Sequence, residues 1–322
     1  MKRFIGIDVG GTSAKFGVFN EKGELLARSS VRTGKVKSPE QTMEEFIPVI
    51  QQLVEESDAK KEDLCGVGIG TPGPVLNHRE VNGVVNMGWG YVKIADFFEE
   101  RLSCPVAVEN DANVAALGEQ WQGAGKGRNS VLLVTLGTGV GGGIVVDEHV
   151  ISGLHGSAGE IGHMSILTEP EERTCGCGKH DCLELIASAT GIAAQARRLL
   201  ETSDTPSLLR SYTSVDAKKV FDCAEQGDII AQAVVDRTTD VLGRALAIVG
   251  AALDPELFII GGGVSNAREK LLMPTKKAYK KYAFYTGKDT PIVRATLGND
   301  AGIYGAVRLI LQITGYRGDA SC

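Results

Sequence analysis

The sequence predicts an α/β protein with two domains related by duplication, and three observations carry the prediction. Two segments about 127 residues apart, FIGIDVGGTSAKFGVF at 4–19 and VLLVTLGTGVGGGIVV at 131–146, share one pattern: apolar strand, glycine–threonine turn, apolar strand. A buried-type strand, Leu257-Phe258-Ile259-Ile260, runs into Gly261-Gly262-Gly263 and then into a helical stretch from Asn266. With 322 residues the chain has the length of two domains rather than one. Its 43% hydrophobic content is enough for a large core.

The first strand–turn–strand segment reads as a β-hairpin whose turn is rich in backbone N–H groups, and successive N–H groups at glycines form an anion-binding concavity. Asp8 ends its first strand beside Gly10-Gly11-Thr12. There it would sit near phosphates and could hold Mg²⁺ through water, or form an ordinary Asx turn. A second polar cluster follows at 105–113, PVAVENDAN, a short strand ending in Glu109, Asn110 and Asp111, with a helix expected over 114–120. Asp111 or Asn113 could simply cap that helix. Yet the end of a strand is also where α/β enzymes place chemistry, and an aspartate there could take a proton from a hydroxyl that attacks phosphorus.

The second hairpin contains GTGVGG from Gly137, which matches the dinucleotide pattern G-x-G-x-x-G. That pattern requires a helix directly after the glycines, whereas Gly143-Ile144-Val145-Val146 is strand-like, so the dinucleotide reading fails. A Walker-type loop is absent, since Gln120 stands where the first glycine before Gly125-Lys126 should be. The companion motifs of a protein-kinase glycine loop are missing too.

Further on, Glu160 and His163 are three apart in GEIGH and share a face if that segment is helical. The loop TCGCGKHDCLE at 174–184 packs Cys175, Cys177 and Cys182 into eight positions. Three thiols so spaced suit a tetrahedral zinc site, with Gly176 and Gly178 permitting the tight path. Two histidines compete for the fourth place, His180 within the loop and His163 before it, and His163 is favoured because His180 would be strained. Four protein ligands leave no open position, so the metal is expected to be structural and to fix Glu184 beside the loop. Carboxylates, amides and a histidine are also the groups that hold a polyhydroxylated ligand. The strand ending at Gly261-Gly262-Gly263 suits a nucleoside or phosphate.

Other features exclude functions. The net charge is −6, and Lys276-Lys277 with Lys280-Lys281 form the only basic cluster, spaced as a solvated helix face. Nucleic acid and membrane are therefore not expected partners. MKRFIGIDVGG is too short an apolar run for a signal peptide, and no stretch approaches a membrane span, so a cytoplasmic protein is expected. Seven cysteines, an odd number in a reducing compartment, argue against structural disulfides. Cys65, Cys104 and Cys223 read as core residues and Cys322 as exposed.

Taken together, DVGGTSAKFG at 8–17, GTPGP at 70–74, NMGW at 86–89, ENDANVAALGE at 109–119, LGTGVGGG at 136–143, GEIGH at 159–163, CGCGKHDCLE at 175–184 and IIGGGVS at 259–265 resemble the ROK group of sugar kinases and regulators, in the family's order and over nearly the whole chain. The resemblance implies an actin- and hexokinase-like (ribonuclease H-like) duplicated fold with a central cleft. It implies a small N-terminal α/β domain of residues 1–118 plus 299–322, with the helix at 299–313 crossing back to it, and a larger domain of residues 119–298. By the same likeness Asp111 is the base for the sugar 6-hydroxyl. Gly73, Asn110, Glu160, His163 and Glu184 hold the rest of the sugar, with His163 serving both sugar and metal. Asp8, Gly10, Gly11, Thr12 and Lys15 line one side of the ATP phosphates, Gly137, Thr138 and Gly139 the other, and Gly261, Gly262 and Gly263 lie near the adenosine. ATP, Mg²⁺ and structural Zn²⁺ are the implied cofactors, a sugar and a nucleotide the partners, and a homodimer the assembly.

The implied activity is phosphorylation of glucose at its 6-hydroxyl, with mannose, fructose, N-acetylglucosamine or N-acetylmannosamine as alternative acceptors. A sugar-responsive repressor is the reading from another class. Such members carry an N-terminal helix-turn-helix, for which the early hairpin leaves no room here. One departure from the family is Asp181, where glycine usually precedes the third cysteine, and a left-handed residue there would carry strain.

Overall fold

The computed structural model describes residues 1–34, 37–84 and 87–316. Asn86 of the NMGW stretch and Cys322 lie outside the described residues. The chain divides into two compact units, one of Met1–Ser130, Gly143–Gly159 and Thr296–Cys322, the other of Val131–Gly142 and Glu160–Ala295.

In the first unit the apolar alternation of the N-terminal segment becomes the hairpin β1 (Arg3–Val9) and β2 (Ser13–Phe19), followed by β3 (Leu25–Arg32). Ser38 caps α1 (Pro39–Glu56) with a capping box, and the helix buries Met43, Phe46, Ile50 and Leu53. Then come β4 (Leu64–Thr71), a small antiparallel sheet of β5 (Val75–Leu76), β6 (Glu80–Val84) and β7 (Trp89–Val92), and α2 (Ile94–Leu102), β8 (Val106–Asn110) and α3 (Asp111–Gln122). The main sheet has the order β3-β2-β1-β4-β8. Its register brings the polar strand ends together. Asp8 stands opposite Gly70, Gly70 opposite Glu109, and Thr71 opposite Asn110, so the carboxyl ends of three parallel strands carry the polar residues at one level.

The second hairpin is β9 (Val131–Leu136) and β10 (Val140–Val146), with β11 (His149–Val150) after it. The second unit continues with α4 (Glu184–Ala187), α5 (Ala189–Thr202), α6 (Ala217–Glu225), α7 (Ile229–Leu253), β12 (Leu257–Gly261), α8 (Glu269–Tyr282) and β13 (Ile292–Arg294). The second five-stranded sheet has the order β11-β10-β9-β12-β13, with β9, β12 and β13 parallel. The helix expected from Asn266 begins later, at Glu269. Residues Gly263–Ala267 form a 3₁₀ turn instead, and Arg268 at φ 52° separates the two.

The chain returns to the first unit at Thr296, and α9 (Ala301–Ile313) lies on β1 and β4. Glycines allow this close approach: a Cβ at Gly6 would come within 2.2 Å of the Ile303 carbonyl, and one at Gly68 within 1.7 Å of the Ala306 carbonyl. The helix is apolar nearly all round, as a buried helix must be. Cys104 and Cys223 are core residues as expected; Cys65 is half-exposed, its thiol donating to the Asp63 carbonyl at 3.3 Å. Among the described residues no helix is long and apolar enough to cross a membrane.

Candidate functional site

The polar level of the first sheet holds the first group of candidate residues. Asn110, rather than Asp111 or Asn113, caps α3, its side chain accepting from the N–H groups of Ala112 and Asn113. Asn110 Nδ2 donates to the Gly73 carbonyl at 3.2 Å, which joins two of the candidate sugar residues directly. The Asp111 carboxylate is left at the head of the helix, accepting from the Ala112 N–H at 2.8 Å. Burial raises its pKa against the lowering effect of these N–H groups. Burial also pushes Asp8 up, to about 6, against the opposing charge of Lys15, and Asp111 adds to the rise. Asp8 lies against α9, where a Cβ on Gly302 would fall 2.5 Å from its carboxyl carbon. Lys15 pairs with Asp8 across the hairpin and donates to the Asn299 carbonyl at 2.7 Å.

In the hairpin turn, the Gly10 N–H bonds the Ser13 carbonyl at 3.0 Å and the Gly10 and Thr12 carbonyls accept from Thr33. Among the described residues Gly11 has no hydrogen-bond partner. The matching turn in the second unit behaves similarly. Gly137 N–H bonds the Gly139 carbonyl, its own carbonyl accepts from the Ala189 N–H, and the Thr138 carbonyl accepts from Thr190 Oγ1 at 2.8 Å.

Around the cysteine loop, His163, Cys175, Cys177 and Cys182 bring their ligand atoms within 4.8 Å of one another. Cys175 Sγ is 3.4 Å from His163 Nδ1, and Cys177 Sγ is 3.4 Å from Cys182 Sγ. Ligand atoms on a tetrahedral zinc, with bonds of about 2.0–2.3 Å, stand roughly 3.5–3.8 Å apart, so the four residues fit that geometry. Burial pushes the Cys182 thiol up to about 12 and raises Cys175 as well, while the Lys179 N–H holds Cys177 below its ordinary value. Buried thiols of this kind give up their protons readily only to a cation. His180 stands outside the cluster with Nδ1 3.1 Å from the Glu171 carbonyl, which leaves the place to His163. Asp181 is not in the left-handed region, so the expected strain is not there; its carbonyl accepts from the Ile166 and Leu167 N–H groups and its carboxylate from Ser165.

His163 closes a single 3₁₀ turn, Ile161–His163, and its Nε2 lies 3.9 Å from Glu160 Oε2, so the ring shows one nitrogen to the thiols and the other to Glu160. Glu184 heads α4. Its Oε1 accepts from Cys175 Sγ at 3.8 Å and its Oε2 from the Val140 N–H at 2.9 Å, and a Cβ on Gly139 would meet Oε2 at 2.3 Å. The cysteine loop and the second glycine turn are thus in contact, a link nothing in the spacing revealed.

Beyond Gly261 and Gly262, a cavity of about 750 Å³ opens in the second unit, lined by Gly263, Val264, Ala267, Ala189 and Phe221 with charged residues of α6 and α8 at its edge. Gly262 at φ 77° packs on the backbone of Leu136, where any side chain would clash. Gly263 is the glycine that lines the cavity. Phe221 and its neighbours on α6 carry no motif, only the apolar face of an amphipathic helix, and a reading of the sequence could not have found them.

The ROK family model matches residues 4–313. Glucokinase of Halalkalibacterium halodurans is 40% identical over 314 residues, covering 96% of this chain and 95% of that protein. The crystal structure of ROK hexokinase from Thermus thermophilus superposes with a TM-score of 0.83 at 32% identity, covering 97% of this chain and 99% of the other. A ROK family glucokinase from Streptomyces griseus, solved in complex with glucose and AMPPNP, gives a TM-score of 0.75 at 33% identity, covering 96% and 99%.

Proposed function

The chain belongs to the ROK family, with the actin/hexokinase-like fold of its sugar kinases, and on that premise we propose that it is an ATP-dependent glucokinase. The observation that carries the reaction is the Asp111 carboxylate, half-buried at the head of α3 on the strand ends with its basicity raised by desolvation. In this reading it accepts the proton of the glucose 6-hydroxyl as the oxygen attacks the γ-phosphorus; the P–O bond to ADP breaks and glucose 6-phosphate forms. Asn110 and Gly73, already joined, hold neighbouring hydroxyls together with Glu160, His163 and Glu184. Asp8, Gly10, Gly11, Thr12 and Lys15, with Gly137, Thr138 and Gly139, receive the phosphates. The apolar cavity beyond Gly261, Gly262 and Gly263 receives the adenosine. Mg²⁺, when bound, neutralises the charge of the β- and γ-phosphates.

The metal of the cysteine cluster is zinc in this reading, bound by Cys175, Cys177, Cys182 and His163 Nδ1, which leaves Nε2 for the sugar. The protein acts in the cytoplasm, as a homodimer, and the two domains expected at 1–118 plus 299–322 and at 119–298 carry the sugar base and the zinc loop respectively. A kinase for another hexose would keep every one of these roles except the acceptor. Asp111→Asn tests the assignment of the base. It is expected to leave glucose binding largely intact while kcat falls by about 10²- to 10⁴-fold; near-normal turnover would refute it.

A further inference from the structure

The residue immediately before Asn110 is a heavily bonded carboxylate at the elbow where β8 turns into α3. Glu109 is fully buried, yet it is not a passive core residue. Its Oε1 accepts from the Asn110 N–H at 2.8 Å and from Asn113 Nδ2 at 3.0 Å. Its Oε2 accepts from Ser152 Oγ at 2.5 Å and lies 3.1 Å from His78 Nδ1. These partners come from three separate stretches: the start of α3, the segment after β11, and the turn between β5 and β6, whose His78 carbonyl also accepts from the Val108 N–H at 2.8 Å. Burial alone would push the carboxyl up, but the combined donors hold it below its ordinary value. A buried charge is tolerable only when so surrounded.

We infer that Glu109 is a positioning residue for the proposed base: its carboxylate grips the Asn110 peptide N–H on one side and two distant segments on the other, and so fixes the elbow from which Asp111 points. The geometry makes this more than packing. The gripped N–H belongs to the residue that caps α3 and reaches Gly73, and the next peptide carries Asp111. A small rotation of the Asn110 peptide would move the Asp111 carboxylate and the Asn110 amide together. Misplacement of a reacting group by about 1 Å can cost on the order of 100-fold in rate. Ser152 and His78 act at one remove by keeping Oε2, and hence the plane of the carboxylate, in place.

The inference rests on the reading of Asp111 as the base, so Asp111→Asn is measured alongside. Glu109→Gln can keep an acceptor toward Asn110 N–H and Asn113 while its amide faces Ser152, and kcat is expected to stay within about threefold of wild type. Glu109→Leu keeps the volume and removes every bond; kcat of the folded protein is expected to fall by about 10- to 100-fold and the glucose KM to rise, with the ATP KM little changed. A merely structural role would lower the melting temperature and leave the folded fraction fully active. Should Glu109→Leu not fold, Glu109→Asp is decisive. It keeps the charge but is one methylene too short to span Asn110 and Ser152, and a comparable loss of kcat is expected. Folded Glu109→Leu or Glu109→Asp with wild-type kcat, beside an inactive Asp111→Asn, overturns the inference alone. An active Asp111→Asn removes the base assignment and the inference with it.

Discussion

Asp8 is the residue where electrostatics and position are most at odds. Its folded pKa, about 6, stands above the ordinary 3.8 because burial outweighs the attraction of Lys15. A carboxyl so raised contributes its full stability below the unfolded value, near pH 4, and loses it as pH rises through about 6. Asp8→Asn stays neutral throughout, so its stability should gain on wild type by up to about 3 kcal/mol between pH 4 and pH 7. Urea unfolding at the two pH values measures the gap, and a gap that does not change with pH would contradict it. Individual residues were unevenly legible in the sequence. Asp8, Asn110 and Asp111 stood out because strand ends followed by polar residues are few. The capping role fell to Asn110 rather than to its neighbours because the helix begins earlier than its apolar pattern shows. The grip of Glu109 depends on Ser152 and His78, far away in the chain, and no local pattern announces it.

The cysteine loop is the element on which most depends. The segment leading into it is moored to α7, Arg237 pairing with Glu171 at 2.5 Å and Arg244 donating to the Ile166 carbonyl at 2.6 Å. The loop's inner end carries Glu184 against the second glycine turn. A metal there would fix His163 and Glu184 at once, with no part in phosphoryl transfer. Protein purified without a chelating tag is expected to carry about one zinc per chain. Cys177→Ser should lose it and raise the glucose KM by about tenfold or more with the ATP KM within about twofold. A stoichiometry near zero in folded, active protein would remove the metal from the scheme. The loop was readable because three thiols in eight positions have few other uses. The helix expected from Asn266 was not, since the chain leaves β12 with Gly262 against the Leu136 backbone and then turns as a 3₁₀ helix over Gly263–Ala267, an approach between distant segments that no local pattern shows.

For the whole molecule, the duplication was legible because glycine turns between apolar strands survive in both halves of the sequence. The return of α9 onto β1 and β4 was expected only through family likeness; its physical basis, the bare backbone at Gly6 and Gly68, emerges once the strands are laid side by side. The cavity beyond Gly262 was half legible, Gly263 visible and the wall from α6 not. The acceptor is what separates a glucokinase from a kinase for another hexose. The decisive measurement is therefore ADP release with Mg²⁺-ATP against a panel of hexoses and N-acetylhexosamines. Glucose is expected to give the highest kcat/KM by at least about tenfold. A clear preference for fructose, mannose or an acetylated sugar would contradict the glucose assignment while leaving Asp111 in its role, and no turnover of any sugar would contradict the kinase reading itself.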